Sequence, residues 1–266
     1  MQAVYADVYR YRELLGNLFR RDLQAKYRGS ALGVLWTVAN PVLLMAVYLL
    51  VFGVVWKSPF ANGGHYPLFL LTGLTLWTLF APAMLASTRS MLDNANLIRK
   101  TRFPRQLVPL SVVFAHLVSF YAMLALLLVL NFVVLARVRA TEWLALPLSV
   151  LFVGLVCGFA LALAALNVLF RDVEFIVAAL LVPWFFLTPI LYPLTGTELD
   201  RHHTVIQFIH WANPLSPPVE AVRAPLFDGT LPFWGDAVYL AVASVVSLAL
   251  GAYVFRRVDD QIAIEV

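Results

Sequence analysis

The sequence predicts an all-α membrane protein: six transmembrane helices, an N-terminal amphipathic helix at the cytoplasmic interface, and two short re-entrant helices in the last extracytoplasmic loop. Three observations predict it. Of 266 residues, 62% are hydrophobic and 13% charged, with a mean hydropathy of +0.83, whereas an ordinary soluble domain carries about 25% charged residues. Nineteen Lys and Arg with fifteen Asp and Glu cannot clothe so much Leu, Val, Ala and Phe in water. The apolar residues fall into six separate windows, and Lys and Arg are distributed unevenly between the loops that join them.

Residues 8–28 come first. Tyr11, Leu15, Leu18, Phe19 and Leu23 recur at helical spacing while Arg10, Arg12, Glu13, Arg20, Arg21 and Asp22 fill the remainder. This is an amphipathic helix suited to the lipid interface or to docking on another protein. The first apolar stretch begins only after this charged segment and is too long for a signal-peptide core, so no cleaved signal peptide is expected.

A helix crosses the bilayer with about 20 apolar residues. Ala31 to Trp56, Tyr66 to Thr88, Val108 to Ala136, Trp143 to Leu169, Phe175 to Leu194 and Ala237 to Phe255 qualify. Six crossings put both ends of the chain on one side. That side then carries Arg10, Arg12, Arg20, Arg21, Lys26 and Arg28 before the first window, Arg89, Arg99, Lys100, Arg102 and Arg105 in the second loop, Arg171 in the fourth, and Arg256 and Arg257 in the tail. The opposite side has Lys57, Arg137, Arg139, Arg201 and Arg223. Fourteen against five predicts cytoplasmic termini. The organisation is thus an interface helix over 1–30, a six-span domain over 31–255 and a tail over 256–266.

The fifth loop, 195–236, is unusually apolar. Val205, Ile206, Phe208, Ile209 and Trp211 precede an Asn213-Pro214 break, and Ser216-Pro217-Pro218 opens a second apolar segment that ends at Phe227. Ser at the N-cap with Pro at the first helical position starts a helix. Two helices too short to span would dip into the outer leaflet or cap a cavity; the other reading is a pair of surface helices.

The chemistry for several function classes is missing. No acidic residue falls inside a window, whereas proton- or sodium-driven porters usually carry intramembrane carboxylates. His116 is the one histidine well inside a window, and hydrogen-bonded packing explains it as well as a relay does. No GxxxxGK[ST] phosphate loop occurs, so nucleotide hydrolysis would have to come from another polypeptide. His202, His203 and His210 lack the spacing of a metal site. Cys157 is single and cannot form an internal disulfide. The positive charges flank apolar runs and do not form one solvated face, which suits anionic lipid and not nucleic acid. Gly154, Gly158 and Ala162 form a small-residue ridge for close helix approach, within the chain or at a dimer seam.

Several segments together resemble the membrane subunit of type 2 ABC exporters, in particular those moving O-antigen, capsule, teichoic acid or galactan chains. They are Phe19-Arg20-Arg21-Asp22-Leu23 through Lys26-Tyr27-Arg28-Gly29-Ser30 to Leu32-Gly33-Val34-Leu35-Trp36 and Asn40-Pro41; Asn96-Leu97-Ile98-Arg99-Lys100 with Phe103-Pro104-Arg105; Asn167 to Val173 with Trp184 to Ile190 and Tyr192-Pro193; and Asn213 to Pro217 with Glu220 and Arg223. They occur in the family's order between Leu18 and Gly229.

The resemblance implies a bacterial inner-membrane homodimer joined to two copies of a separate ABC ATPase that carries ATP and Mg. This chain would have no cofactor, metal or catalytic residue of its own. The expected cargo is a glycan on a polyprenyl diphosphate. The region 94–105 would couple to the ATPase through Asn96, Leu97, Ile98, Arg99, Lys100, Phe103, Pro104 and Arg105, with Leu97, Ile98 and Phe103 entering a partner groove. Arg20, Arg21, Lys26 and Arg28 would meet the lipid diphosphate or headgroups, and Trp184, Phe185, Phe186 and Tyr192 would line a glycan channel. The alternatives are a type 2 ABC permease for a drug or small lipid and a membrane-bound glycosyl- or acyltransferase. The latter has only His65, Glu142 and the stretch from Glu198 to His210 as interfacial acids and histidines.

Overall fold

The computed structural model describes residues 10–27, 29–30, 33–48, 50–51, 54, 66–100, 103–135, 139–194 and 203–265. Among these, every regular element is helical: α1 (Arg12–Tyr27), α2 (Trp36–Tyr48), α3 (Tyr66–Asp93), α4 (Ala95–Lys100), α5 (Leu107–Leu135), α6 (Ala145–Leu169), α7 (Val173–Leu187), α8 (His203–Ala212), α9 (Ser216–Arg223) and α10 (Trp234–Glu265).

Four stretches are long and apolar enough to cross a membrane: Tyr66–Asp93, Leu107–Val133, Glu142–Leu169 and Trp234–Asp259. They coincide with the second, third, fourth and sixth windows. The first and fifth windows are shorter as helices. In the first window α2 covers 13 residues, and residues 31, 32, 49, 52, 53, 55 and 56 lie outside the described residues. In the fifth window, α7 stops after 15 residues, about 22 Å at 1.5 Å per residue. The stop has a local cause: Thr188 precedes Pro189 and is extended, at φ −88° and ψ 136°, as the proline ring requires. The last helix overruns its window and carries the tail to Glu265 as continuous helix.

α3 is the centre of the bundle, touching α2, α5, α6, α7 and α9. Leu70, Leu71, Leu74, Leu76 and Leu79 on it are at most 1% exposed. Threonine hydroxyls within α3 satisfy themselves on their own helix, Thr72 donating to the Leu68 carbonyl, Thr75 to Leu71 and Thr88 to Met84, a back-bonding pattern that an apolar span tolerates. His116 is likewise tied to its own helix through the Val112 carbonyl, 2.9 Å from Nδ1. Cys157 is buried.

The Gly154–Gly158 ridge is used inside the chain, against α10. A Cβ on Gly158 would run into the Ser247 backbone, and one on Gly251 into the Gly158 carbonyl. Ser247 Oγ donates to the Leu155 carbonyl across this seam at 2.7 Å.

Long-range contacts sort the loops into two ends. At one end, Ser111 donates to Asp22 at 2.8 Å, joining α5 to α1. There too Arg89 pairs with Glu174 at 2.9 Å, and Arg105 with Asp259 at 3.0 Å. At the other end, Tyr66 donates to the Leu191 carbonyl at 2.8 Å, and Asn131 to Leu226 at 2.7 Å. Thr141 donates to the Pro225 carbonyl there at 3.1 Å. The N-terminal helix, second loop, fourth loop and end of α10 therefore share one end, and the third and fifth loops share the opposite one.

Candidate functional site

At the end carrying both termini, the Asn94 carbonyl accepts from Leu97 and Ile98 N–H at 3.0 and 3.1 Å and starts α4. The Asn94 side chain donates back to the Ser90 carbonyl, so α4 turns directly off α3. Its apolar side chains face inward. Ile98 is 6% exposed and belongs to the main core. Leu97 packs with Leu15, Leu18 and Leu107, and half-buried Phe103 lies against the core. Of the three residues expected to enter a partner's groove, Ile98 packs within its own chain. Asn96, Arg99 and Lys100 are exposed. Half-buried Pro104 accepts the Leu107 N–H that opens α5, and Arg105 is spent on the Asp259 carboxylate and carbonyl. What this segment offers a partner is thus a small basic and polar face.

The apolar side of α1 also docks on its own chain, with Leu15 and Leu18 buried against Leu107. Exposed Arg21 pairs with Asp22 at 2.7 Å, and Arg20 is exposed. The side chains of Lys26 and Arg28 lie outside the described residues. A second link at this end was not foreseen. Asn167, fully buried, accepts the Glu174 N–H at 3.1 Å, and Glu174 pairs with Arg89, so the start of α7 is fastened to the end of α3 just before α4.

At the far end, the fifth loop forms two helices as expected. The second begins one residue early: Ser216 is its first residue and Leu215 the cap, without a side-chain capping bond. α9 runs on through a π turn, Ala224–Asp228, closed by Gly229 at φ +71°. Of the four aromatics expected to line a channel, Phe186 is exposed. Phe185 is buried against Trp77 and stacks on Tyr48. Half-buried Trp184 donates to Asn213 at 2.8 Å, and half-buried Tyr192 donates to the Phe186 carbonyl at 3.2 Å. Three of the four are therefore engaged within the chain.

Beside them lies a buried charge cluster. Arg223 is 2% exposed, binds Glu220 at 2.5 Å and the Pro189 carbonyl at 2.6 Å, and lies 3.8 Å over the Phe69 ring. His210 meets Asp236 at 2.7 Å. Burial pushes the Glu220 carboxyl up and the Arg223 guanidinium down, each partner opposing the other's shift, so the pair survives burial by its mutual attraction and its extra hydrogen bond. The sequence carried one signal for it: an i, i+3 acid–base pair inside an otherwise apolar segment. In the charge count Arg223 falls among the outside charges, and the resemblance names it together with Glu220.

The ABC-2 type transporter family matches residues 13–227. The O-antigen export system permease protein RfbA of Myxococcus xanthus is 36% identical over 261 residues, covering 97% of this chain and 96% of its own. A protein of the same name from Klebsiella pneumoniae is 31% identical, over 94% of each chain. The polysialic acid transport protein KpsM of Escherichia coli is 24% identical over 91% of this chain and 92% of its own. With the family matched over most of its length, the chain belongs to the ABC-2 type transporters as a membrane component.

Proposed function

We propose that this chain is the permease subunit of an ATP-driven exporter that moves a lipid-linked polysaccharide of the O-antigen or capsule class out across the bacterial inner membrane. The observation that carries this is end-to-end similarity to permeases named for O-antigen and polysialic acid export. The chain crosses six times. Support comes from the two-ended arrangement: α1 lies at the end opposite the start of α3, and α7 begins beside Arg89 and finishes beside Tyr66, so α2 and α7 join the two ends despite their length. The end with fourteen Lys and Arg is cytoplasmic. α8 and α9 are re-entrant helices on the outer side.

ATP binding and hydrolysis belong to a separate ATPase, since the sequence has no phosphate loop. Its contact is the face of Asn96, Arg99 and Lys100, and ATP-driven motion reaches the spans through α4 and the Arg89–Glu174 link. The working unit is a homodimer with two ATPase copies. α7 ends within a hydrocarbon core of about 30 Å, where its own chain covers the non-helical backbone that follows, Thr188 and Ile190 being at most 1% exposed, and it supports the homodimer through an apolar face left uncovered. Its face with Phe175, Ile176, Val182 and Phe186, all exposed, would meet the second copy across the channel. Arg20 and Arg21 are placed to receive the diphosphate of the cargo at the cytoplasmic rim.

The test is reconstitution with the ATPase in inverted vesicles. ATP should drive a polyprenyl-diphosphate glycan into the lumen. Movement of a drug-like amphiphile with no glycan transport would overturn the cargo assignment.

A further inference from the structure

The segment that follows α7 should be the weakest point of the membrane domain. The helical ladder ends at Leu187, Pro189 cannot donate, and several carbonyls in succession lose their helical partners at a depth where water is scarce. A tight local turn covers part of the gap, the Thr188 carbonyl accepting the Ile190 N–H at 2.6 Å and the Phe186 and Leu187 carbonyls accepting from Tyr192 at 3.2 and 3.4 Å, and side chains from elsewhere in the chain supply the rest. Asn213 donates from Nδ2 to the Leu187 carbonyl at 3.3 Å and to Thr188 Oγ1 at 3.0 Å. Arg223 takes the Pro189 carbonyl at 2.6 Å, and Tyr66 takes Leu191 at 2.8 Å.

Asn213 is also the corner between α8 and α9. Its Oδ1 accepts from Trp184 Nε1 at 2.8 Å and from the Leu215 N–H at 3.0 Å, so one side chain uses both its donors and its acceptor oxygen to join the corner to α7. Ile190, fully buried, seals the joint: a Cβ on Gly73 would stand 3.1 Å from its Cα and 3.2 Å from the Arg223 guanidinium.

We propose that Asn213 and Arg223 are positioning residues that key the outer helix pair α8–α9 to the broken end of the fifth span, so that α7 and the pair move as one lever. Opening at the outer side follows the tilt of α7, and hydrolysis at the other end, passed on through α4 and Arg89–Glu174, reaches the exit through this joint. The inference rests on the export reading for its purpose, but the lock itself does not depend on what is carried.

The experiment measures distances in the assembled complex with its ATPase in nanodiscs. Spin labels are placed at exposed Val182 on α7 and exposed Thr204 on α8, in a Cys157→Ala background diluted with unlabelled chain. The Val182–Thr204 distance should be narrow and the same with and without ATP, while the separation of Thr204 labels between two copies changes. Asn213→Ala should broaden the Val182–Thr204 distribution and reduce export by roughly ten-fold, the scale of leaving a buried hydrogen-bonding group unpaired, with ATP hydrolysis retained. Arg223→Lys, which keeps the charge but loses the planar fork, should fall between. A Val182–Thr204 distance that shifts with ATP in the unsubstituted chain overturns the proposal even if the variants fail to fold. So does an unchanged Thr204–Thr204 separation, or an Asn213→Ala chain with narrow distances and full export. If the lock holds but no glycan moves, the lock stands and the cargo assignment falls.

Discussion

At Gly158 the seam between α6 and α10 turns on one missing methyl group. A Cβ there would meet the backbone of Ser247, which belongs to a helix and cannot step aside. At Gly154, four residues earlier on the same ridge, the obstacle is the Ser244 hydroxyl, the end of a side chain that can rotate away. The two glycines look alike in sequence, yet their substitutions should differ. Gly158→Ala should destabilise the solubilised protein by about 1 to 3 kcal/mol, the cost of overpacking a tight contact, while Gly154→Ala should change stability by well under that. Thermal melts of the two variants in one detergent check this, and equal melting temperatures would mean the helices separate more easily than their packing indicates. The ridge was visible in the sequence, but whether it faced another helix of the same chain or a second copy depended on where α10 lies, which no local pattern encodes.

The short helix α4 carries the largest revision at the scale of elements. Its sequence places Leu97, Ile98 and Phe103 among positive charges, and a six-residue helix has too few turns for its apolar stripe to reveal whether it faces its own chain or a partner. The structure turns Ile98 into the core and Leu97 onto α1. Ile98→Ala should therefore lower the stability of the membrane subunit itself, by about 2 to 5 kcal/mol as for other buried large-to-small changes, with ATPase association falling only as the fold is lost. Arg99→Glu with Lys100→Glu should leave the melting temperature unchanged, since both side chains are exposed, and should weaken ATPase co-purification and stop export. A double variant that still binds the ATPase and exports fully would remove α4's outer face from the coupling contact. The same contrast explains what was legible. Long apolar helices were readable because about 20 consecutive apolar residues have few other solutions. The early end of α7 is hidden in the sequence because Thr188-Pro189 has apolar neighbours on both sides, and the burial of Arg223 because an arginine in a loop reads as solvated even with Glu220 three residues before it.

Across the whole molecule two independent observations converge. Charge counting separates fourteen Lys and Arg from five, and side-chain contacts separate the loops into the same two groups: Asp22, Arg89, Arg105, Glu174 and Asp259 at one end, Tyr66, Asn131, Thr141, Asn213 and Arg223 at the other. Charge alone sets orientation without proving that any loop is near another, and contacts alone prove proximity without orientation. Under the proposed function the basic end is the cytoplasmic one, facing the ATPase, and α8 and α9 lie outside. In a Cys157→Ala background, a cysteine at exposed Asn96 should react with a membrane-impermeant thiol reagent in inverted vesicles and not in right-side-out ones. A cysteine at exposed Thr204 should do the reverse. Both sites reacting from one side would break the link between the two observations, because the contacts hold α4 and α8 at opposite ends of the same bundle whatever the lipid does. Reaction of each site from the side opposite to that expected would leave the bundle intact but invert it, and with it the side on which a partner ATPase could reach Arg99 and Lys100.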